Sequence, residues 1–180
     1  MSKPFTPLPD GFEPTARQVW LAVDSAWTRA DNPFESIVFA GFGEPTLKLD
    51  VLLDSAKSLK SWRSTVPLRL NTNGLGAVHW KKDIIEDLKA SGIESVTVAL
   101  NSADPAQYKA IMEPTEEGAG LEDVCEFAAA CVEKGLAVEC TAVDMPEVRL
   151  ADVAALAKSM GCTFRPRSYH PGEHAERSSL

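Results

Sequence analysis

Short runs of alternating apolar and polar residues recur five times along the chain, and a longer stretch with helical spacing follows each of the first four. The alternation predicts strands near 36–40, 66–71, 94–101, 136–143 and 162–168. Helices are expected near 47–62, 80–90, 104–112, 121–134 and 150–160. Strands that alternate with helices pair in parallel through right-handed crossovers. The expected fold class is therefore α/β: a partial, open (β/α) barrel-like parallel sheet of about five strands, too few to close an eight-stranded barrel. Ahead of the first strand, Pro14 fits the first turn of a helix with Val19, Trp20, Val23 and Trp27 on an apolar stripe, which reads as packing. Residues 1–13 are proline-rich and read as an extended segment, and 170–180 as a solvated tail, all within a single domain spanning 1–180.

Chemistry concentrates where the strands end. Ile37 to Thr46 is an apolar strand that stops on Gly41, Phe42, Gly43, Glu44 and Pro45. Two glycines remove the Cβ atoms that would hold a ligand away from the backbone, and Pro45 sets the direction in which the chain leaves. Pro67 to Gly74 repeats the pattern, running into Asn71, Thr72, Asn73 and a glycine. A third run, Ser95 to Ser102, ends on Asn101, with Asp104-Pro105 as N-cap and first helical residue. Successive βα units place such loops on one side of a sheet, so Gly43, Asn73 and Asn101 are expected at a common mouth.

Taken together, Gly-Phe-Gly-Glu-Pro, Asn-Thr-Asn-Gly and Ala-Leu-Asn-Ser resemble the radical S-adenosylmethionine (SAM) enzymes, in particular the TatD-associated radical SAM branch. The resemblance extends from about Phe12 to Tyr169 and includes the strand Val138 to Val143 with Met145-Pro146, and the closing Phe164 to Tyr169. It implies roles on SAM: backbone at Gly41, Phe42, Gly43 and Glu44 for the methionyl amino group, and Asn71, Thr72 and Asn73 for methionyl or ribose oxygens. Asn101 would hold the ribose hydroxyls, and backbone near Val143 would meet the adenine edge. Arg165 and Arg167 alternate on one face of the last strand; a substrate or SAM carboxylate, or ordinary salt bridging, would engage them.

The departure from the family is a missing first strand with its C-x-x-x-C-x-x-C loop, which in complete members holds a [4Fe–4S] cluster. No cysteine precedes the Gly-Glu-Pro strand here. The four cysteines, Cys125, Cys131, Cys140 and Cys162, have spacings that match no cluster or zinc motif, and all four read as buried small hydrophobes. Two explanations stay open: a truncated radical SAM domain that begins after the cluster loop, or a cluster-free pseudoenzyme kept as an interaction module. In either case this chain alone is expected to be non-catalytic, to hold SAM weakly and to carry no cluster, and no catalytic residue is assigned. Loss of a first strand would also expose the edge around Ile37 to Ala40 to a partner strand or a second copy.

Composition narrows the partners. With 180 residues, 44% of them hydrophobic, the chain can bury one core. A net charge of −8 argues against nucleic acid, which favours a basic face. No run approaches the roughly 20 apolar residues of a bilayer span, and no signal-peptide core is present, so a soluble cytoplasmic protein with a reduced thiol complement is expected. A hydrolase is disfavoured because no G-x-S-x-G elbow exists and the histidines are only His79, His170 and His174.

Overall fold

The computed structural model describes residues 11–29, 34–41 and 43–169. Phe42, most of the extended segment 1–13 and the expected tail 170–180 lie outside the described residues. In chain order the elements are α1 (Ala16–Arg29), β1 (Ile37–Phe39), a 3₁₀ turn (Pro45–Lys48), α2 (Leu49–Trp62) and β2 (Leu68–Thr72). They continue with α3 (Gly76–Trp80), α4 (Ile85–Ala90), β3 (Ile93–Ala99), α5 (Pro105–Met112), α6 (Leu121–Glu133), β4 (Ala137–Val143), α7 (Leu150–Ser159) and β5 (Thr163–Arg167).

The five strands form one sheet in the order β1-β2-β3-β4-β5, and every pairing is parallel. Sequential parallel strands joined by right-handed crossovers put the connecting helices on one face. That face carries the core: Leu68, Leu70, Val96, Val98, Val138, Cys140 and Ala142 are buried there, against Leu52, Leu59, Leu88, Val124 and Val153 from the helices. The alternate residues point to the opposite face, and they are mostly polar. Register places Asn71 beside Thr97, Thr97 beside Glu139, and Thr141 beside Arg165. The sheet is thus apolar on its helical side and hydrophilic on the other, the period of two expected of a strand with one buried face.

Three local features differ from the sequence reading. The first helix is capped by Thr15, not opened by Pro14: Gln18 N–H donates to Thr15 Oγ1 at 3.3 Å while Gln18 Oε1 accepts from Thr15 N–H at 2.9 Å, a reciprocal capping box. The single helix expected over 80–90 is two, because Lys81 turns left-handed (φ 52°) and ends α3, after which the Asp83 carboxylate accepts Ile85 N–H at 2.8 Å and starts α4. Of the four cysteines expected to be buried, Cys131, Cys140 and Cys162 are, but Cys125 on α6 is half-buried.

The apolar stripe of α1 packs as expected. Trp20 and Trp27 meet the ring of Trp62 edge-on, at centroid separations of 5.8 and 5.4 Å, and the Arg63 guanidinium covers the Trp62 ring at 4.3 Å. The sheet has β1 and β5 as its edges, and Val38 on β1 is exposed. No helix among the described residues is long and apolar enough to cross a membrane.

Candidate functional site

At the carboxyl ends of the strands lies a cavity of about 440 Å³. Ala40, Gly41, Gly43 and Glu44 from the end of β1 and Asn71, Thr72 and Asn73 from the end of β2 form one wall. Thr97, Ala99 and Thr141 form the floor, and Arg165 and Arg167 on β5 close the far side. The first two motifs therefore meet, together with the arginine pair. Asn101, just past the end of β3, and Val143, the last residue of β4, stand on the same edge of the sheet but do not line the cavity.

The first wall is organised by one carboxylate. Glu44 Oε1 accepts from Thr46 N–H (3.0 Å), Thr46 Oγ1 (2.8 Å) and Thr72 Oγ1 (2.7 Å), while Oε2 accepts from Asn73 N–H (2.7 Å). Four donors on one anion join the β1 and β2 loops, and charge-assisted bonds of this kind are about twice as strong as neutral ones. Downstream, Thr72 Oγ1 accepts Gly74 N–H at 3.0 Å and Asn73 Oδ1 accepts Leu75 N–H at 2.9 Å. Trp80 Nε1 donates to the Thr46 carbonyl at 2.7 Å and ties α3 to the same corner. The Thr72 hydroxyl and the Asn73 carbonyl oxygen are therefore spent on the loop, and the Asn71 amide is the one left without a protein partner among the described residues.

Gly41 and Gly43 contribute differently. Neither has a positive φ, so the backbone does not require glycine at either position. Packing does not require it either: a Cβ built on Gly43 meets nothing within 4 Å, and one on Gly41 comes no nearer than 3.8 Å to Gly43 N. What glycine leaves is bare backbone facing the cavity, the arrangement used where a ligand must approach the main chain closely.

Asn101 is committed elsewhere. It is held in the left-handed region (φ 55°), its Oδ1 accepts Val143 N–H at 3.2 Å, and its Nδ2 donates to Met112 Sδ. The two residues that the sequence placed separately on ribose and adenine are thus bonded to each other. Thr97, Ala99 and Thr141 were not singled out from the sequence. Their signal was present: each falls in the polar phase of its strand, on the face opposite the buried valines.

The cysteines do not fit an iron–sulfur cluster. None lines the cavity; Cys131, Cys140 and Cys162 belong to the buried core and Cys125 packs against it. The Cys131 thiol is pushed up to about 12, chiefly by burial. Cys140 is pushed up by a hydrogen bond with Cys162 and then by burial. A cluster needs thiolates; Cys131 and Cys140 are held toward the protonated form, and the Cys162 thiol, lowered by its hydrogen bond with Cys140, is the exception. Among the described residues no group of three or more Cys, His, Asp or Glu is placed to hold a metal ion.

Solved structures with the same arrangement of elements exist. SuiB from Streptococcus suis superposes with a TM-score of 0.65 at 17% identity, covering 92% of this chain and 36% of SuiB. SuiB bound to S-adenosylmethionine superposes with a TM-score of 0.64, also at 17% identity, covering 89% of this chain and 35% of that one. A radical SAM methyltransferase from Sphaerobacter thermophilus gives 0.62 at 15% identity, over 86% of this chain and 57% of the enzyme. The chain shares their fold. It spans little more than a third of the length of SuiB, so what it matches is one part of a larger molecule. No family model matches the chain, and no curated protein does.

Proposed function

We propose that this chain is a radical SAM-type domain, of the TatD-associated branch, that binds S-adenosylmethionine at the carboxyl ends of its strands. The observation that carries the reading is the pair of glycines, Gly41 and Gly43, which neither backbone nor packing explains and which leave main chain open to the cavity. The shared fold with a SAM-bound SuiB supports it. On this reading the Gly41 to Glu44 backbone takes the methionyl amino group, and the Asn71 amide and Asn73 Nδ2 take methionyl or ribose oxygens, a task suited to a planar group with both donors and an acceptor. Asn101 and Val143 act as a bonded pair that shapes the rim. The cysteines present do not fit a [4Fe–4S] cluster, so the role of this chain is binding, in a reducing, cytoplasmic setting.

Calorimetry or ligand-observed NMR with SAM and with 5′-deoxyadenosine tests the proposal. Binding is expected with a Kd of about 0.1–1 mM, or about 4–5.5 kcal/mol. Absence of binding at millimolar ligand overturns it. A second reading, a cluster-free module that docks a partner strand or a second copy, is favoured by the short edge strand β1, whose outer backbone pairs with no strand among the described residues, beside exposed Val38.

A further inference from the structure

The far wall of the cavity has a different chemistry from the near one. Arg165 and Arg167 lie two residues apart on β5 with side chains on the same face, about 6.6 Å apart along the strand, close enough for both to reach one oxyanion. Arg165 directs Nε (3.0 Å) and Nη2 (2.7 Å) at a single oxygen of Glu139, which leaves Nη1 without a partner. Arg167 forms no ion pair among the described residues, and neither does the neighbouring Asp144, whose N–H donates to the Arg167 carbonyl. Among the described residues Glu44 is the one carboxylate that lines the cavity, and it already accepts from four protein donors. A protein with a net charge of −8 therefore keeps two guanidiniums at this rim, one of them uncompensated.

Position decides what they serve. Four inter-strand steps separate β1 from β5, about 19 Å if the sheet were flat. The amino and carboxylate groups of an amino acid share one carbon, so a methionyl group held against Gly41 and Gly43 on β1 keeps its carboxylate near that wall, and the arginines on β5, at the opposite edge of the sheet, face a different ligand group. We infer that Arg167, assisted by Arg165 Nη1, binds the oxyanion of a second ligand, a substrate bearing a carboxylate or phosphate, presented across the cavity from SAM. The identification of this ligand as second rests on the SAM reading above; the anion site itself does not.

The test titrates the full chain with succinate, inorganic phosphate, SAM and 5′-deoxyadenosine, followed by ligand-observed NMR at low salt. Wild type should bind one of the two anions, and which one identifies the group. R167Q should weaken that binding about tenfold or more, the loss expected on removing charged hydrogen bonds. E139Q frees Arg165 and should tighten it several-fold, and opposite effects from the two substitutions, one at exposed Arg167 and one at half-buried Glu139, cannot both come from misfolding. Neither variant should alter 5′-deoxyadenosine binding. Anion binding that is absent, or unchanged in R167Q, overturns the inference and leaves the nucleoside reading standing. Anion binding that depends on Arg167 without any nucleoside binding leaves the site and removes the SAM reading. If SAM binds more tightly than 5′-deoxyadenosine through Arg167, the carboxylate of SAM itself occupies the pair and the second-ligand assignment is wrong.

Discussion

Glu44 Oε2 accepts the backbone N–H of Asn73 at 2.7 Å, a bond across 29 residues that sets the end of β1 against the end of β2. The same carboxylate holds both hydroxyls of Thr46 and Thr72 through its other oxygen. Its place in a ligand-facing motif is explained by this internal work: the side chain builds the wall, and the glycine backbone beside it meets the ligand. Glu44→Gln replaces one acceptor oxygen by a donor and must break at least one of the four bonds. Urea unfolding should show a loss of about 2 kcal/mol, in the range for charged hydrogen bonds, with Glu44→Ala losing more. Nucleoside binding should fall in parallel. A Gln variant of wild-type stability would mean the carboxylate does not brace the two loops.

Two glycines near this corner should respond in opposite ways. Gly43→Ala adds a methyl group that touches no protein atom, so stability should stay within about 0.5 kcal/mol of wild type while SAM binding drops. Gly76→Ala places its Cβ 2.5 Å from Thr46 Oγ1 and 2.8 Å from Ile84 Cδ1, in the crowded joint between α3 and the 3₁₀ turn. It should destabilise by about 1–3 kcal/mol, the range for overpacking, and loosen the Thr46 bond to Glu44. Denaturation midpoints and ligand titration of both variants check this; a Gly43→Ala chain that binds SAM normally removes the bare backbone from the site.

Much of this arrangement was legible in the chain itself because a parallel sheet with one covered face writes its periodicity into every strand. Val96-Thr97-Val98-Ala99 alternates in sequence as it does in space, and the Gly-Glu-Pro and Asn-Thr-Asn motifs fall at strand ends where successive βα loops must gather. What could not be read were bonds between distant residues. Nothing local indicates that the Asn101 amide turns to Val143, 42 residues on, or that Glu44 reaches Asn73. The break in the helix expected over 80–90 depends on Lys81 adopting φ 52°, a conformation for which lysine has no preference. The Thr15–Gln18 capping box, by contrast, is written in the sequence as the spacing T-x-x-Q one residue after Pro14.

The thiols should be inert toward metal. Cys131 and Cys140 are buried and hold their protons, and none of the four cysteines reaches the cavity. Anaerobic reconstitution with iron and sulfide should yield no stoichiometric [4Fe–4S] absorbance. Cys131→Ala should destabilise by about 1 kcal/mol through lost packing, and Cys125→Ala, at a half-buried position, by less. Stoichiometric iron and sulfide that disappear in these variants would show a metal site the fold conceals.

Tyr108 on α5 is fully buried, and its hydroxyl has no hydrogen-bond partner among the described residues. Burial, followed by the charges of Asp123, Cys125 and Glu116, raises its pKa from 10.0 to about 12. A folded-state value above the unfolded one means the unfolded chain releases this proton first as pH rises. The contribution to stability is therefore complete below pH 10 and is lost progressively as pH climbs through about 12, to a total of about 2–3 kcal/mol for a two-unit shift. The raised thiols add to the same alkaline decline, so the comparison that isolates Tyr108 is with Tyr108→Phe. Phenylalanine keeps the packed ring and removes both the proton and the unpaired hydroxyl, whose burial costs about 1–3 kcal/mol. Tyr108→Phe should be as stable as wild type or about 1 kcal/mol more stable at pH 7, and its advantage should widen between pH 10 and 12. Urea midpoints across that range decide it: a variant that is destabilised at neutral pH, or one whose alkaline limb parallels wild type, would show that the hydroxyl is satisfied in solution.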